Sequence, residues 1–148
     1  MMIRLIMAFA MLCGLSQSPM AQTVTEAECS EVVQRVLTSV GASLVRKTDL
    51  GNYHLRHPSV ESVVVSCGAL PLGISLGFGR FDPSVSQLAS RAGSVLTGES
   101  VGTVTRLIVE CRRIMLADPM AMDTFRTDKA DVECSDATIS VYRAQRRD

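Results

Sequence analysis

Residues 60–78 read VESVVVSCGALPLGISLGF, and this stretch decides the fold. After Glu61 it carries no charged residue, so its length and apolarity invite comparison with a membrane-spanning helix. Pro71 and three glycines would interrupt such a helix, whereas β-branched residues bounded by short breaks are typical of buried strands. The stretch therefore predicts two strands, at 60–67 and 72–78, in the middle of a sheet.

Two further strands are predicted immediately before this stretch. Residues 43–48 have the composition of a strand, 49–52 (Asp-Leu-Gly-Asn) that of a turn, and 53–57 that of a returning strand that ends at Pro58. Links this short join antiparallel neighbours, because a parallel crossover needs a dozen residues or more. Residues 43–78 are thus expected to form a meander of four antiparallel strands.

A helix is predicted before the first strand, over 25–40. Thr25 and Glu28 form a capping box at its start, and Gly41 ends it. Its apolar residues recur at helical spacing and are Cys29, Val32, Val33, Val36, Leu37 and Val40. Valine has a weak helix propensity, so packing of this face has to hold the helix in place.

Two more helices are predicted after the four strands. Asp82 and Pro83 supply a cap and a first-turn proline for the second helix, and Gly98 ends it. Its inner face holds Val85, Leu88, Ala89, Ala92, Val95 and Leu96. The third helix covers 100–117 and stops before Pro119. Its inner face holds Val101, Val104, Ile108, Cys111 and Met115.

The remaining residues predict the overall architecture. Residues 118–130 have the composition of an irregular connection, and 132–135 with 138–143 form a final strand or hairpin. The order α-β-β-β-β-α-α-β(β) keeps helices and strands in separate groups, which favours an α+β fold over alternating α/β. We expect a two-layer sandwich in which three helices cover an antiparallel sheet of about four to six strands.

The first residues have the three-part layout of a secretory signal peptide. Arg4 precedes an uncharged apolar run at 5–15, and a short polar stretch ends at the small residue Ala21. The apolar run is well below the roughly 20 residues that cross a bilayer. The sequence predicts a signal peptide at 1–21 that is cleaved after Ala21, with a single α+β domain over 22–148 in the periplasm or outside the cell.

Cysteine usage agrees with export. Cys13 leaves with the signal segment, and the four that remain are Cys29, Cys67, Cys111 and Cys134. An even number in an exported domain predicts two disulfides. Bridges that join helices to strands would be Cys29–Cys67 and Cys111–Cys134, the pairing we expect, but Cys29–Cys111 with Cys67–Cys134 fits the sequence nearly as well.

Composition limits the classes of partner. After cleavage the formal charge is −1, because Arg4 is the only charged residue removed, and a neutral chain lacks the basic field of a nucleic-acid binder. Tryptophan is absent and aromatic residues are few, which disfavours a cleft lined by stacked rings. We expect no nucleic-acid partner and no membrane span in the mature chain, and an unknown protein or small-molecule partner in the cell envelope.

Catalytic patterns are weak. Residues 73–77 match Gly-x-Ser-x-Gly, in which a strained turn between strand and helix exposes the serine, but here Ser75 lies inside a predicted strand. His54 and His57 are three residues apart in an extended segment, so their side chains are expected on opposite faces. The sequence therefore predicts no catalytic, cofactor-binding or metal-binding residue.

Two functional hypotheses follow. The leading one is a non-catalytic exported domain, periplasmic or secreted, that binds a partner or assists an assembly through its surface. The alternative is a small cell-envelope hydrolase that uses Ser75 or the region of His54 and His57.

Overall fold

The computed structural model describes residues 24–68, 71–121 and 123–145. The predicted signal segment, with Cys13 and the expected cleavage after Ala21, lies outside the described residues.

Three helices and seven strands follow one another in the order α-β-β-β-β-α-α-β-β-β. The helices are α1 (Glu26–Val40), α2 (Pro83–Thr97) and α3 (Val101–Ala117). The strands are β1 (Ser43–Lys47), β2 (Asn52–Arg56), β3 (Ser62–Ser66), β4 (Gly73–Gly77), β5 (Phe125–Arg126), β6 (Ala130–Cys134) and β7 (Thr138–Arg143). The predicted α+β class and the antiparallel sheet are confirmed.

All seven strands belong to one antiparallel sheet, in the order β1-β2-β3-β4-β7-β6-β5. The expectation of four to six strands was slightly low, because the connection predicted at 118–130 contains β5. Phe125 and Arg126 pair there with Val132 and Asp131 of β6. A strand of two residues has no alternation that a sequence pattern could reveal.

The helix ends are where the caps predicted them. The Thr25 hydroxyl accepts a hydrogen bond from the amide of Glu28 at 3.2 Å, and the Asp82 carboxylate accepts one from the amide of Ser84 at 2.7 Å. Hydrogen bonding from the Ser84 hydroxyl, more than any other contact, lowers the pKa of Asp82. Gly41 and Gly98 end α1 and α2 in the left-handed conformation, with φ of 70° and 76°.

The core lies between the helices and one face of the sheet. Almost all of the apolar residues predicted on the inner faces of α2 and α3 are buried, but Val101 is 45 % exposed and Leu107 is buried in its place. The buried stripe of α3 is centred on Val104, Ile108 and Cys111. Val101, in the first turn, lies beside this stripe, on the side of the helix that faces solvent.

Two disulfides tie the helical layer to the sheet. Cys29 of α1 is bonded to Cys67, just after β3, and Cys111 of α3 is bonded to Cys134 of β6. Of the two pairings that the sequence leaves open, the structure has the one that joins helices to strands. Disulfides of this kind form and persist in oxidising environments.

Gly93 allows α2 to lie close to its neighbours. A Cβ atom there would stand 3.0 Å from a methyl of Val141 in β7 and 3.1 Å from a methyl of Val104 in α3. We expect Gly93→Ala to lower the free energy of unfolding by about 1 kcal/mol. Overpacking costs about 1–3 kcal/mol, and the higher helix propensity of alanine offsets about 1 kcal/mol of that cost. Urea unfolding at unchanged m-value measures the difference.

The matched control for this prediction is Gly102→Ala, also in a helix. Its nearest atom is the Ser100 hydroxyl oxygen, at 4.0 Å, so the change should stabilise the protein by about 0.5 kcal/mol. A Gly93→Ala variant as stable as Gly102→Ala would contradict close packing of α2.

Each disulfide is expected to contribute to stability through the loop that it closes. The bonded cysteines are separated by 38 and 23 residues, so replacing either pair by alanine should lower the free energy of unfolding by about 3–4 kcal/mol on the chain-entropy model. Urea unfolding of the two double variants measures this. Reduction should lower the free energy of unfolding of the natural protein by more than it lowers that of either double variant. A natural protein whose stability does not change with a reductant would refute the prediction.

Candidate functional site

The sheet has one covered and one uncovered face. Side chains alternate along each strand, and those at the buried positions (Leu55, Val63, Val65, Ile74, Leu76 and Val141 among them) pack under the helices. The opposite face, here called the open face, is not covered by any helix in the described part of the chain. Its three middle strands are β3, with Ser62, Val64 and Ser66; β4, with Gly73, Ser75 and Gly77; and β7, with Thr138, Ser140 and Tyr142.

On the open face, the residues of these three strands form an uncharged central field. Most of their open-face side chains are small, and Val64, Ser75 and Ser140 are half-buried by their neighbours. Charged groups begin only on the outer strands. Arg46 of β1 and Arg56 of β2 lie on one side, and Asp131 and Glu133 of β6 lie on the other.

The strand register sets the open-face residues in rows. One row crosses the sheet through Arg46, His54, Val64, Ser75, Ser140 and Glu133. It is therefore basic at one end, acidic at the other and neutral in the middle. The sequence alone does not reveal this row, because alternation shows which residues of one strand share a face but not which residues of other strands lie beside them.

The register also shows where the residues of the alternative hydrolase hypothesis lie. The Ser75 hydroxyl is hydrogen-bonded to the Ser140 hydroxyl at 2.8 Å, in the middle of β4 rather than at a strand-to-helix turn. His54 is two strands from Ser75, with Val64 between them, so their backbones are about 10 Å apart and the hydrogen bond of the Ser75 hydroxyl goes to Ser140 instead. His57 lies beyond the end of β2, where its Nδ1 accepts a hydrogen bond from the amide of Ser59 at 3.2 Å.

Both edges of the sheet are protected against strand addition. At one edge β1 has a register shift between Leu44 and Arg46, and it carries the cations Arg46 and Lys47. At the other edge β5 has only two residues, and its Arg126 forms an ion pair with Asp131 at 3.6 Å. Bulges, charged side chains and very short strands discourage pairing with another chain, which leaves the open face as the accessible surface of the sheet.

A recess of about 550 Å³ lies on the helix side, between the start of α1 and the β1–β2 turn. Its cation, Lys47, is hydrogen-bonded to the Glu26 carboxylate and lies 5.4 Å from the centre of the Tyr53 ring. The bond with Glu26 is the largest influence that raises the pKa of Lys47, and it lowers the pKa of Glu26. Because these charges already satisfy each other, the recess is a weaker candidate for a ligand site than the open face.

Within residues 24–68, 71–121 and 123–145, no three His, Cys, Asp or Glu side chains are close enough to hold a metal ion together. The helices in these ranges are also too short or too polar to span a bilayer.

No protein-family model matches the chain, and neither a curated protein nor a solved structure is significantly similar to it. Inference about function therefore starts from the residues of the open face.

Tyr142 provides a probe of that face. Its ring lies over Gly73, where an added Cβ would stand 2.3 Å from a ring carbon. We expect Gly73→Ala to displace the ring, and in a Tyr53→Phe background, where Tyr142 is the remaining tyrosine, acrylamide should quench its fluorescence more strongly.

The control is Gly77→Ala at the other end of β4. A Cβ there would meet the Ser62 hydroxyl oxygen, the mobile end of a small side chain, so Tyr142 should be unaffected. Equal quenching in both variants would mean that the ring does not rest on Gly73.

Proposed function

We propose that this protein is a non-catalytic binding or accessory domain that acts through the open face of its sheet. The observation that carries the proposal is the uncharged central field on β3, β4 and β7, flanked by charged strands. Protein interfaces likewise have few charged residues at the centre of the contact and polar residues around it.

The scaffold suits a binding role. β4 is paired on both sides, and disulfides tie α1 to the residue after β3 and α3 to β6. A surface held in one conformation loses little conformational entropy when a partner docks. The open face therefore combines a flat, neutral centre with a rigid support.

We also propose that the protein acts in the periplasm or outside the cell, after cleavage of a signal peptide at Ala21. Two disulfides support an oxidising compartment, and the apolar run at 5–15 supports export. The partner is a protein or small molecule of the cell envelope. The balanced charge of the chain argues against a nucleic acid.

The alternative, a small hydrolase, has less support. The Ser75 hydroxyl is hydrogen-bonded to Ser140 rather than to a histidine, and Val64 stands between Ser75 and His54 in the row. Binding does not require a base aligned with the Ser75 hydroxyl. The geometry therefore favours a binding function.

Site-specific photo-crosslinking tests the binding function. A benzophenone amino acid replaces Ser62, exposed on the open face of β3, in cells that export the protein. We expect a discrete crosslinked adduct, and we expect it to disappear when Val64→Arg places a charge in the central field. The matched control carries the same group at Arg35 on the exposed side of α1 and should give no adduct. Equal adducts at both positions, or none at Ser62, would refute the proposal.

A substrate screen tests the hydrolase. Esters, peptides and glycans are offered to the protein and to Ser75→Ala, His54→Ala and His57→Ala. We expect no turnover that depends on these side chains. Activity that is lost in folded variants would replace the binding proposal with the hydrolase.

A further inference from the structure

We infer that the partner that fits the open face is a second copy of this chain, docked face to face about a two-fold axis that runs along β4. This inference rests on the proposed function, because it names the occupant of the same surface. Three features carry it: the position of β4 in the sheet, the distribution of charge and the size of the face.

The strand order makes the open face compatible with two-fold symmetry. β4 is the fourth of seven strands, so three strands lie on each side of it. Rotation about β4 sets β3 of one copy over β7 of the other, and β2 over β6. A two-fold interface requires a patch that is complementary to itself, and a sheet whose middle strand is the axis meets that requirement in shape.

The charges make the face complementary to itself as well. In the row through Ser75, the rotation brings His54 and Arg46 of one copy to Glu133 of the other, at both ends of the interface. The uncharged central field of one copy faces that of the other, with Val64 of one copy over Ser140 of the other. Arg126 lies on the acidic side, but its ion pair with Asp131 offsets that charge. Opposed patches of this kind favour one orientation of docking over others.

The size of the face fits a weak dimer. Six strands of about five residues and the two-residue β5, at about 4.8 Å spacing and about 3.3 Å per residue, give an area of about 500 Å² per copy. The pair would bury about 1,000 Å² in total, near the lower limit for a specific interface. Small side chains along β3, β4 and β7 let the two sheets approach closely, so this area can be packed. Because both edges of the sheet are protected, two sheets can meet face to face more readily than edge to edge.

Charge reversal across the interface tests the inference. Sedimentation velocity on the exported, oxidised protein, at about 1 to about 200 µM, should show a monomer–dimer equilibrium. Glu133→Arg alone and Arg46→Glu alone should each weaken the dimer at least about tenfold, because like charges then face each other. The double variant should recover to within about threefold of the natural protein.

The matched control is Glu31→Arg on the exposed side of α1, which makes the same charge change far from the open face and should leave the dimer unchanged. A protein that stays monomeric over the whole range overturns the inference. So does a dimer that Glu133→Arg and Glu31→Arg affect equally.

The position of the axis has its own test. Ser75 lies on β4, so two copies of Ser75→Cys should be joined by a short bis-maleimide, whereas two copies of Glu31→Cys should not. Absence of the Ser75→Cys crosslink in a dimeric sample overturns the proposed axis.

The crosslinking experiment at Ser62 separates this inference from the proposed function. An adduct of twice the chain mass that contains only this protein supports both. If the adduct contains a different protein and the chain is monomeric in solution, the inference that the partner is a second copy is wrong, and the proposed binding function is still supported. A dimer that is insensitive to Glu133→Arg, together with no adduct at Ser62, overturns both.

Discussion

The antiparallel pairing of β4 with β7 is the contact on which the rest of the structure depends. β4 ends a meander that forms from neighbouring segments, whereas β7 arrives after two helices and two further strands. Five residue pairs between them join the two halves of the chain into one sheet. Because Ile74 and Leu76 point to the helices, this pairing also decides which face of the joined sheet becomes the core.

All three helices cover the same face of the sheet, and two of them, α2 and α3, lie between these two strands in the chain. α2 packs against β4 and β7, and α3 packs against β6 and β5, while α1 is held over the first strands by its disulfide to Cys67. The open face is a direct consequence. Its rows follow from register, so the neutral centre and the charged flanks arise from the same pairings that build the core.

The same geometry gives the Gly-x-Ser-x-Gly segment a different setting from that of the catalytic motif that it resembles. A Gly-x-Ser-x-Gly segment requires a sharp turn to expose its serine, but in this chain it is a central strand with both neighbours in place. Ser75 therefore meets Ser140 across the strand pair, and the glycines on either side of it serve the packing of Tyr142 and Ser62. A central strand tolerates these small residues because both of its neighbours hold it in place.

The sequence by itself determined the α+β class, the three helices, the four strands of the meander and a final strand or hairpin, because hydrophobic periodicity and capping residues act within a few neighbouring positions. It narrowed the disulfides to two pairings without deciding between them, since pairing depends on which elements come together in space. The tertiary structure alone decided the order of the strands, the short strand β5 and the exposure of Val101. It also decided the row from Arg46 to Glu133, because that row joins residues from six strands whose register is set by long-range pairing and not by any local pattern.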